Sequence, residues 1–380
     1  MARDLVANYV GADVGILVTV MLVVRMLYAF ADAGLRGYHH VSTAAGIELF
    51  ATVARVILQV GLVVVGLGLT GMLFGYVAAF GAVGLLGVYL LVHEATFTKP
   101  TRRHVASTLQ FAKFAWLSSL KTHVSASMDT LVLGFFVTNS LIGVYNASWN
   151  LAVVLALASQ SLSSALFPEL SSLSADDNVG AFESILSEAL RYAGLVCIPG
   201  VIGLALVGSK VLRIYGSEFP NGAGIALLLG VFALFSSYEG QFQSALNALN
   251  RPDLSFRVNA LFVVVNITGN VVLVAAVGWI GAAVATTASM GLALVYAYVL
   301  TDRHVDVTLP LRDVGHQLAA AALMGVAVYA VQRVTAPLPY YAVVVPIAVG
   351  VVVYFAALLA VSRPVREKAF ELLEGWRGAV

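Results

Sequence analysis

FAKFAWLSSLKTHVSASMDTLVLGFFVTNSLIGVYNASWNLAVVLALASQSLSSALFPELSSL, residues 111–173, holds two apolar stretches of membrane-crossing length joined at the short turn Thr138-Asn139. An aspartate, Asp129, stands in the middle of the first. A helix needs about 20 apolar residues to cross a bilayer, and lipid offers its backbone no hydrogen-bond partners. The stretch therefore reads as a helical hairpin in a membrane. A carboxylate at that depth is costly, so it faces either a cavity or another helix.

The same pattern extends in both directions through the 380 residues. Hydrophobic residues make up 60% of the chain and charged ones 11%, with a mean hydropathy of +0.92. A soluble domain carries about a quarter of its residues as charge. Eleven spans are expected, at about 12–34, 45–68, 71–93, 108–136, 139–167, 187–209, 222–246, 255–275, 277–299, 314–334 and 338–361. The fold class is all-α, a polytopic membrane helix bundle.

Twenty-one Lys and Arg against twenty Asp and Glu leave no basic excess, so nothing points to nucleic acid. The single cysteine, Cys197, excludes an intramolecular disulfide. His39, His40, His104 and His123 lack companions at metal-ligand spacing, and no metal or cofactor is expected. No GxSxG, Walker loop or acid-rich extramembrane loop is present, which argues against an enzyme. No filter-like loop suggests a channel.

Loop charge gives the orientation. Arg36, the Lys99–Arg103 group, Arg251 with Arg257, Arg303 with Arg312, and the tail residues Arg363, Arg366, Lys368 and Arg377 all fall on one side. The other side has Arg3, Lys210, Arg213 and Arg333. The positive-inside rule places the cell-membrane protein's C-terminus in the cytoplasm and its N-terminus outside. That odd topology suggests missing leading helices. Between the fifth and sixth spans, residues 169–190 are expected to form an amphipathic linker. Ser174 and Asp177 would be its capping pair, and Phe182, Ile185, Leu186, Ala189 and Leu190 its apolar stripe.

Polar residues inside the spans are the functional candidates. In the fourth span Lys113, Lys121, Ser125 and Asp129 recur at multiples of four, a step that drifts only about 40° around a helix. Arg25 lies in the first span, and Glu48, Arg55 and Gln59 lie in the second. Glu239, Gln243 and Asn247 occupy the seventh, and Asn259, Asn266 and Asn270 the eighth. Two readings stand. The groups line a cavity whose cations attract an anionic headgroup while amides bond a polar cargo, or they tie neighbouring helices together.

Residues 111–173 resemble the polysaccharide-biosynthesis flippase branch of the multidrug/oligosaccharidyl-lipid/polysaccharide exporter superfamily. The resemblance rests on mid-span Asp129, on SLIGVYNAS at 140–148, and on the Phe167-Pro168 ending. It continues through EGQFQSALNALNRPDLSFRVNALFVVVNITGNVVLV at 239–274 and GWIGAAVATTASMGLAL at 278–294. Such proteins commonly have fourteen spans, as two six-helix lobes and two final helices. The resemblance thus implies a two-lobed bundle with an incomplete first lobe. Residues 1–107 would be the partial N-terminal lobe, 108–301 the six-helix C-terminal lobe, and 302–380 two additional helices and a cytoplasmic tail.

The implied function is export of a lipid-linked oligosaccharide or polysaccharide precursor from the inner to the outer leaflet. Arg25, Arg55 and Lys121 would attract the phosphate or pyrophosphate of this anionic glycan lipid, and Gln243, Asn259 and Asn266 would meet its sugars. Asp129 would couple transport to protons or sodium, or balance a nearby cation. Membrane lipids and glycan-assembly proteins are the implied partners. Two alternatives remain open: a cation-coupled small-molecule exporter of the same superfamily, and a non-transporting membrane scaffold in glycan assembly.

Overall fold

The structure, a computed structural model, describes residues 15–38, 40–94, 101–102, 109, 128–335 and 340–368. The chain divides into two compact units, Met1–Phe111 and Ala112–Val380. The described residues of both are helical, with no strand among them.

In the first unit, α1 (Gly15–Gly37) and α2 (Val41–Leu62) both pack on α3 (Gly68–Glu94). The α2–α3 connection is a π turn, Val63–Leu67, with φ of 97° at Gly66 and 49° at Gly68. Glycine adopts these left-handed angles without Cβ strain, which is why the reversal falls there. A second pair of glycines brings α1 and α3 together. A Cβ on Gly84 would lie 3.2 Å from the Tyr28 backbone nitrogen, and one on Gly87 would lie 2.8 Å from the Ala31 methyl. Small residues at such crossings let membrane helices gain van der Waals contact where the hydrophobic effect supplies none. Tyr28, Leu35, Ala44, Ile47, Ala51, Phe80 and Val83 form the unit's core.

The second unit begins, among described residues, with α4 over 128–136. It continues with α5 (Asn139–Ala175), α6 (Val179–Ala193), α7 (Cys197–Leu212) and α8 (Ala223–Ala248). Then follow α9 (Pro252–Val277), α10 (Trp279–Asp302), α11 (Leu311–Thr335) and α12 (Val344–Val361). Helix α8 is central and packs against α5, α7 and α10, while α9 pairs with α10, and α11 pairs with α12 and packs on α7. Proline opens α9 at its first position, where no backbone N–H is needed. Large apolar side chains such as Phe135, Val326 and Val334 point outward. An apolar exterior is what a lipid-solvated bundle requires.

Nine stretches among the described residues are long and apolar enough to cross a membrane. The difference from the eleven expected has two sources. The second and third expected spans run together as the 51-residue stretch Thr43–His93, which contains the α2–α3 turn. The fourth expected span, 108–136, lies largely outside the described residues.

The expected linker at 169–190 needs correction. Helix α5 does not stop at Phe167-Pro168 but carries Pro168 inside it and continues to Ala175. Proline forfeits one hydrogen bond and crowds the preceding turn, yet the residues beyond it place Leu170 in the core with Leu173 packed against it. That burial offsets the cost. The break falls at Asp176–Asn178, with Asp177 at φ 52°. The N-cap is Asn178, whose side chain accepts from the Ala181 N–H at 3.3 Å, and not the Ser174/Asp177 pair. The expected stripe holds: Phe182, Leu186, Ala189 and Leu190 are buried, with Ile185 packed beside them.

A short break at Gly194–Val196 separates α6 from α7, and two later helices satisfy its carbonyls. Gln317 Nε2 donates to Arg191 O at 2.8 Å, and Tyr354 OH donates to Leu195 O at 2.9 Å. Arg191 pairs with Asp313 at 3.0 Å, and Lys368 approaches Glu188 at 3.6 Å. The amphipathic helix is thereby tied to both α11 and the segment after α12.

Candidate functional site: a buried carboxylate network and a polar cleft

Asp129 is enclosed by helices that are distant in sequence. Only 3% of it is exposed, and Asn266, Asn270 and Thr286 around it are fully buried. Thr286 Oγ1 lies 2.8 Å from both carboxylate oxygens, Asn270 Nδ2 donates to Oδ1 at 2.8 Å, and Tyr145 donates its hydroxyl to Oδ2. Asn266 Nδ2 donates to Thr286 Oγ1 at 2.8 Å, extending the chain by one bond. Helices α4, α5, α9 and α10 thus converge on one carboxylate. Every hydrogen-bond donor named is neutral.

The geometry follows from local sequence. Asn266 and Asn270 stand one turn apart on α9, so both amides face the same side. Gly281 near the start of α10 and Gly269 on α9 let the two helices approach closely, and a Cβ on Gly269 would already meet that of Ala285 at 3.2 Å. Two acceptors remain over: Asn266 Oδ1 and Asn270 Oδ1 are buried without a bonding partner among the described residues. Buried carbonyl oxygens are nearly always satisfied. With the carboxylate they make an oxygen-rich buried cluster. Hard oxygen donors suit a proton or a small monovalent cation, and not a thiophilic metal.

A second polar cluster lies between α8 and α9. Gln243 Nε2 donates to Glu239 Oε1 at 2.8 Å and to Asn259 Oδ1 at 2.7 Å, and Ser255 donates its hydroxyl to Gln243 Oε1. An open cleft of about 550 Å³ lies between α8 and α5 and shares Gln243 with this cluster. It is lined by Ser163, Ser164, Phe167, Gly240, Gln243, Ser244 and Asn247. Serine hydroxyls stitch its floor: Ser163 Oγ donates to Gly240 O at 3.2 Å and Ser244 Oγ donates to Ser163 O at 3.5 Å.

In the first unit the Arg25 guanidinium sits 5.1 Å from the ring centres of both Tyr28 and Phe80. Aromatic faces compensate a cation in a poorly solvated setting. Arg55 keeps its Nε buried without a hydrogen-bond partner. Its expected face-mates turn elsewhere. Glu48 pairs with Arg36 at 3.0 Å, and Gln59 donates to Met72 O at 2.9 Å. Lys121 lies outside the described residues.

Of the sequence-derived candidates, the structure brings Gln243 and Asn259 together and places Asn266 beside Asp129. Asn270, named with the polar residues of the eighth span but given no role, joins them there, while Tyr145 and Thr286 were not among the candidates. Asn270 had a legible signal in its four-residue spacing from Asn266, whereas Thr286 and Tyr145 carried none.

A polytopic helix bundle that encloses a carboxylate and opens a polar cleft between spans has the form of a membrane transporter. Residues 4–350 match the profile of the family described as Lipid II flippase MurJ, and the chain belongs to that family, a flippase family of the multidrug/oligosaccharidyl-lipid/polysaccharide exporter superfamily. Among relatives, "Probable flippase AglR" of Haloferax volcanii is 32% identical over 356 residues, covering 93% of this chain and 74% of the relative. "Probable low-salt glycan biosynthesis flippase Agl15" of the same organism is 25% identical over 368 residues, covering 96% and 77%. The fold is similar to that of a lipid II flippase MurJ in an inward closed conformation, with a TM-score of 0.79 at 16% identity, covering 93% of this chain and 75% of that one. A MATE crystal structure matches with a TM-score of 0.55 at 15% identity, covering 80% and 73%.

Proposed function

We propose that this chain flips a lipid-linked glycan intermediate from the cytoplasmic to the outer leaflet, with its C-terminus on the cytoplasmic side. The observation that carries the reading is the family match over 4–350, reinforced by a named glycan-biosynthesis flippase that aligns over nearly the whole chain. Arg25, Arg55 and Lys121 are assigned to the phosphate or pyrophosphate. The buried, unbonded Nε of Arg55 supports this role, because a desolvated guanidinium donor gains most from an anionic oxygen.

Asp129 is assigned to ion coupling. Its carboxylate and the two unbonded amide oxygens, all buried, supply the hard oxygen donors that a proton or a sodium ion would use. Asn266 is enclosed with Asp129 and belongs to this cluster in the present proposal, leaving Gln243 and Asn259 on the sugar side.

The test uses the full chain in proteoliposomes loaded with a sugar-bearing polyprenyl diphosphate. Asp129→Asn should leave flipping insensitive to an imposed proton or sodium gradient that accelerates the wild type. The triple variant Arg25→Gln, Arg55→Gln, Lys121→Gln should lose binding of the diphosphate. Flipping that survives both changes with its gradient response intact would refute both residue assignments.

A further inference from the structure

The cleft between α5 and α8 has a chemistry distinct from both the Asp129 cluster and the arginines. Its lining residues are hydroxyls, amides, a glycine and one aromatic, and none is charged. Its volume of about 550 Å³ falls within the range of small-molecule sites, about 300–1,000 Å³. Part of its polar capacity is already used. Both amide hydrogens of Gln243 are taken by Glu239 and Asn259, so Gln243 serves as a fixed wall. Ser163 is likewise committed to Gly240 O.

The side chains of Ser164 and Asn247 face the opening and bond to no described residue, so a hydroxyl and a primary amide remain for a ligand. Phe167 stands beside them, 39% exposed. Hydroxyl and amide partners set next to an aromatic face are what a pyranose ring uses: equatorial hydroxyls bond the polar groups while the ring's C–H face lies on the aromatic.

No cation lines the cleft among the described residues, and this sharpens the class of sugar. Arg251, one turn beyond Asn247, is held by Asp253 at 3.1 Å and by His304 at 2.7 Å. The group that Gln243 bonds on its own helix is an acid, the buried Glu239. A uronic-acid carboxylate would give up part of its hydration and find no counter-charge among the described lining residues, at a cost that a neutral ring avoids. We propose that this cleft is a subsite for an uncharged sugar ring of the lipid-linked glycan, with Ser164 and Asn247 as its hydrogen-bond partners and Phe167 as its platform. The proposal rests on the flippase reading above and names the cargo chemistry it selects.

Gly240 supplies the means of testing it. A Cβ there meets no atom within 4 Å, so a larger side chain enters open cleft without striking the backbone. Binding would be measured on the full chain in lipid nanodiscs with three probes: a short polyprenyl diphosphate, the same lipid carrying glucose, and the same lipid carrying glucuronate. The wild type should bind the glucose probe about tenfold more tightly than the bare lipid, the equivalent of one or two neutral hydrogen bonds. The glucuronate probe should gain nothing.

Gly240→Leu should abolish the glucose advantage and leave bare-lipid binding unchanged. The double variant Ser164→Ala, Asn247→Ala should do the same by a route that adds no bulk. Equal binding of all three probes, or a glucose advantage that survives in both variants, would overturn the subsite alone. Failure of every probe to bind the wild type would overturn the flippase reading and the subsite with it.

Discussion

Thr286→Val is the most informative single change, because it keeps the shape of the side chain and removes only its hydroxyl. That hydroxyl lies 2.8 Å from both Asp129 oxygens and accepts from Asn266 at 2.8 Å. Hydrogen bonds to a charged group contribute about 1.5–3 kcal/mol in proteins. Interhelical bonds in membranes average about 0.6 kcal/mol, because the unfolded chain in lipid also finds partners. Assigning the first range to the carboxylate bond and the second value to the Asn266 bond gives a loss of about 2–4 kcal/mol. The matched control is Thr287→Val, whose hydroxyl makes one bond to Leu228 O at 3.0 Å and should cost about 0.6 kcal/mol. Denaturant unfolding in mild detergent measures both, and Thr286→Ser should recover most of the loss. If the Thr286 and Thr287 variants unfold together, the hydroxyl does not hold the Asp129 cluster and the enclosed-carboxylate account fails.

Two further outcomes follow from the packing. Asp313→Ala should loosen the amphipathic helix α6 by about 1 kcal/mol, since its pair with Arg191 at 3.0 Å is partly buried; hydrogen exchange at 179–193 should rise in the variant, and unchanged exchange would show that this ion pair does not hold the helix. Gly87→Val should push α1 from α3, because the first added carbon already lies 2.8 Å from the Ala31 methyl. A cost of about 1–3 kcal/mol is expected for such overpacking, and unaltered thermal unfolding would contradict the close crossing.

How much was legible in the sequence depends on the range of the interaction. Span identity depends on local hydropathy, so the helices of both units were readable, as was the buried stripe of α6. The end of α5 was misjudged because Pro168 weighs heavily in a local reading, while the burial of Leu170 that outweighs it comes from partners on other helices. Asp129 stood out as a charge at membrane depth. Its bonds to Tyr145, Asn270 and Thr286 did not, because these lie 16, 141 and 157 residues away. A threonine or a tyrosine in a span is ordinary until the fold sets it against a carboxylate.

Gln243 and Asn259 were grouped as sugar contacts by residue type alone. Their mutual bond at 2.7 Å shows that an amide's commitments are settled by tertiary structure. The pairing of Glu48 with Arg36, and not with Arg55, has the same origin.

The central claim is transbilayer movement of a lipid-linked glycan by this chain. The direct measurement reconstitutes the wild-type protein in vesicles containing a sugar-bearing polyprenyl diphosphate and follows the share of sugar open to a membrane-impermeant oxidant. The account predicts that protein carries the accessible share beyond the outer-leaflet fraction toward the whole pool, while Asp129→Asn no longer responds to the ion gradient. An accessible share that stays at the level of protein-free vesicles, under both proton and sodium gradients, would contradict it.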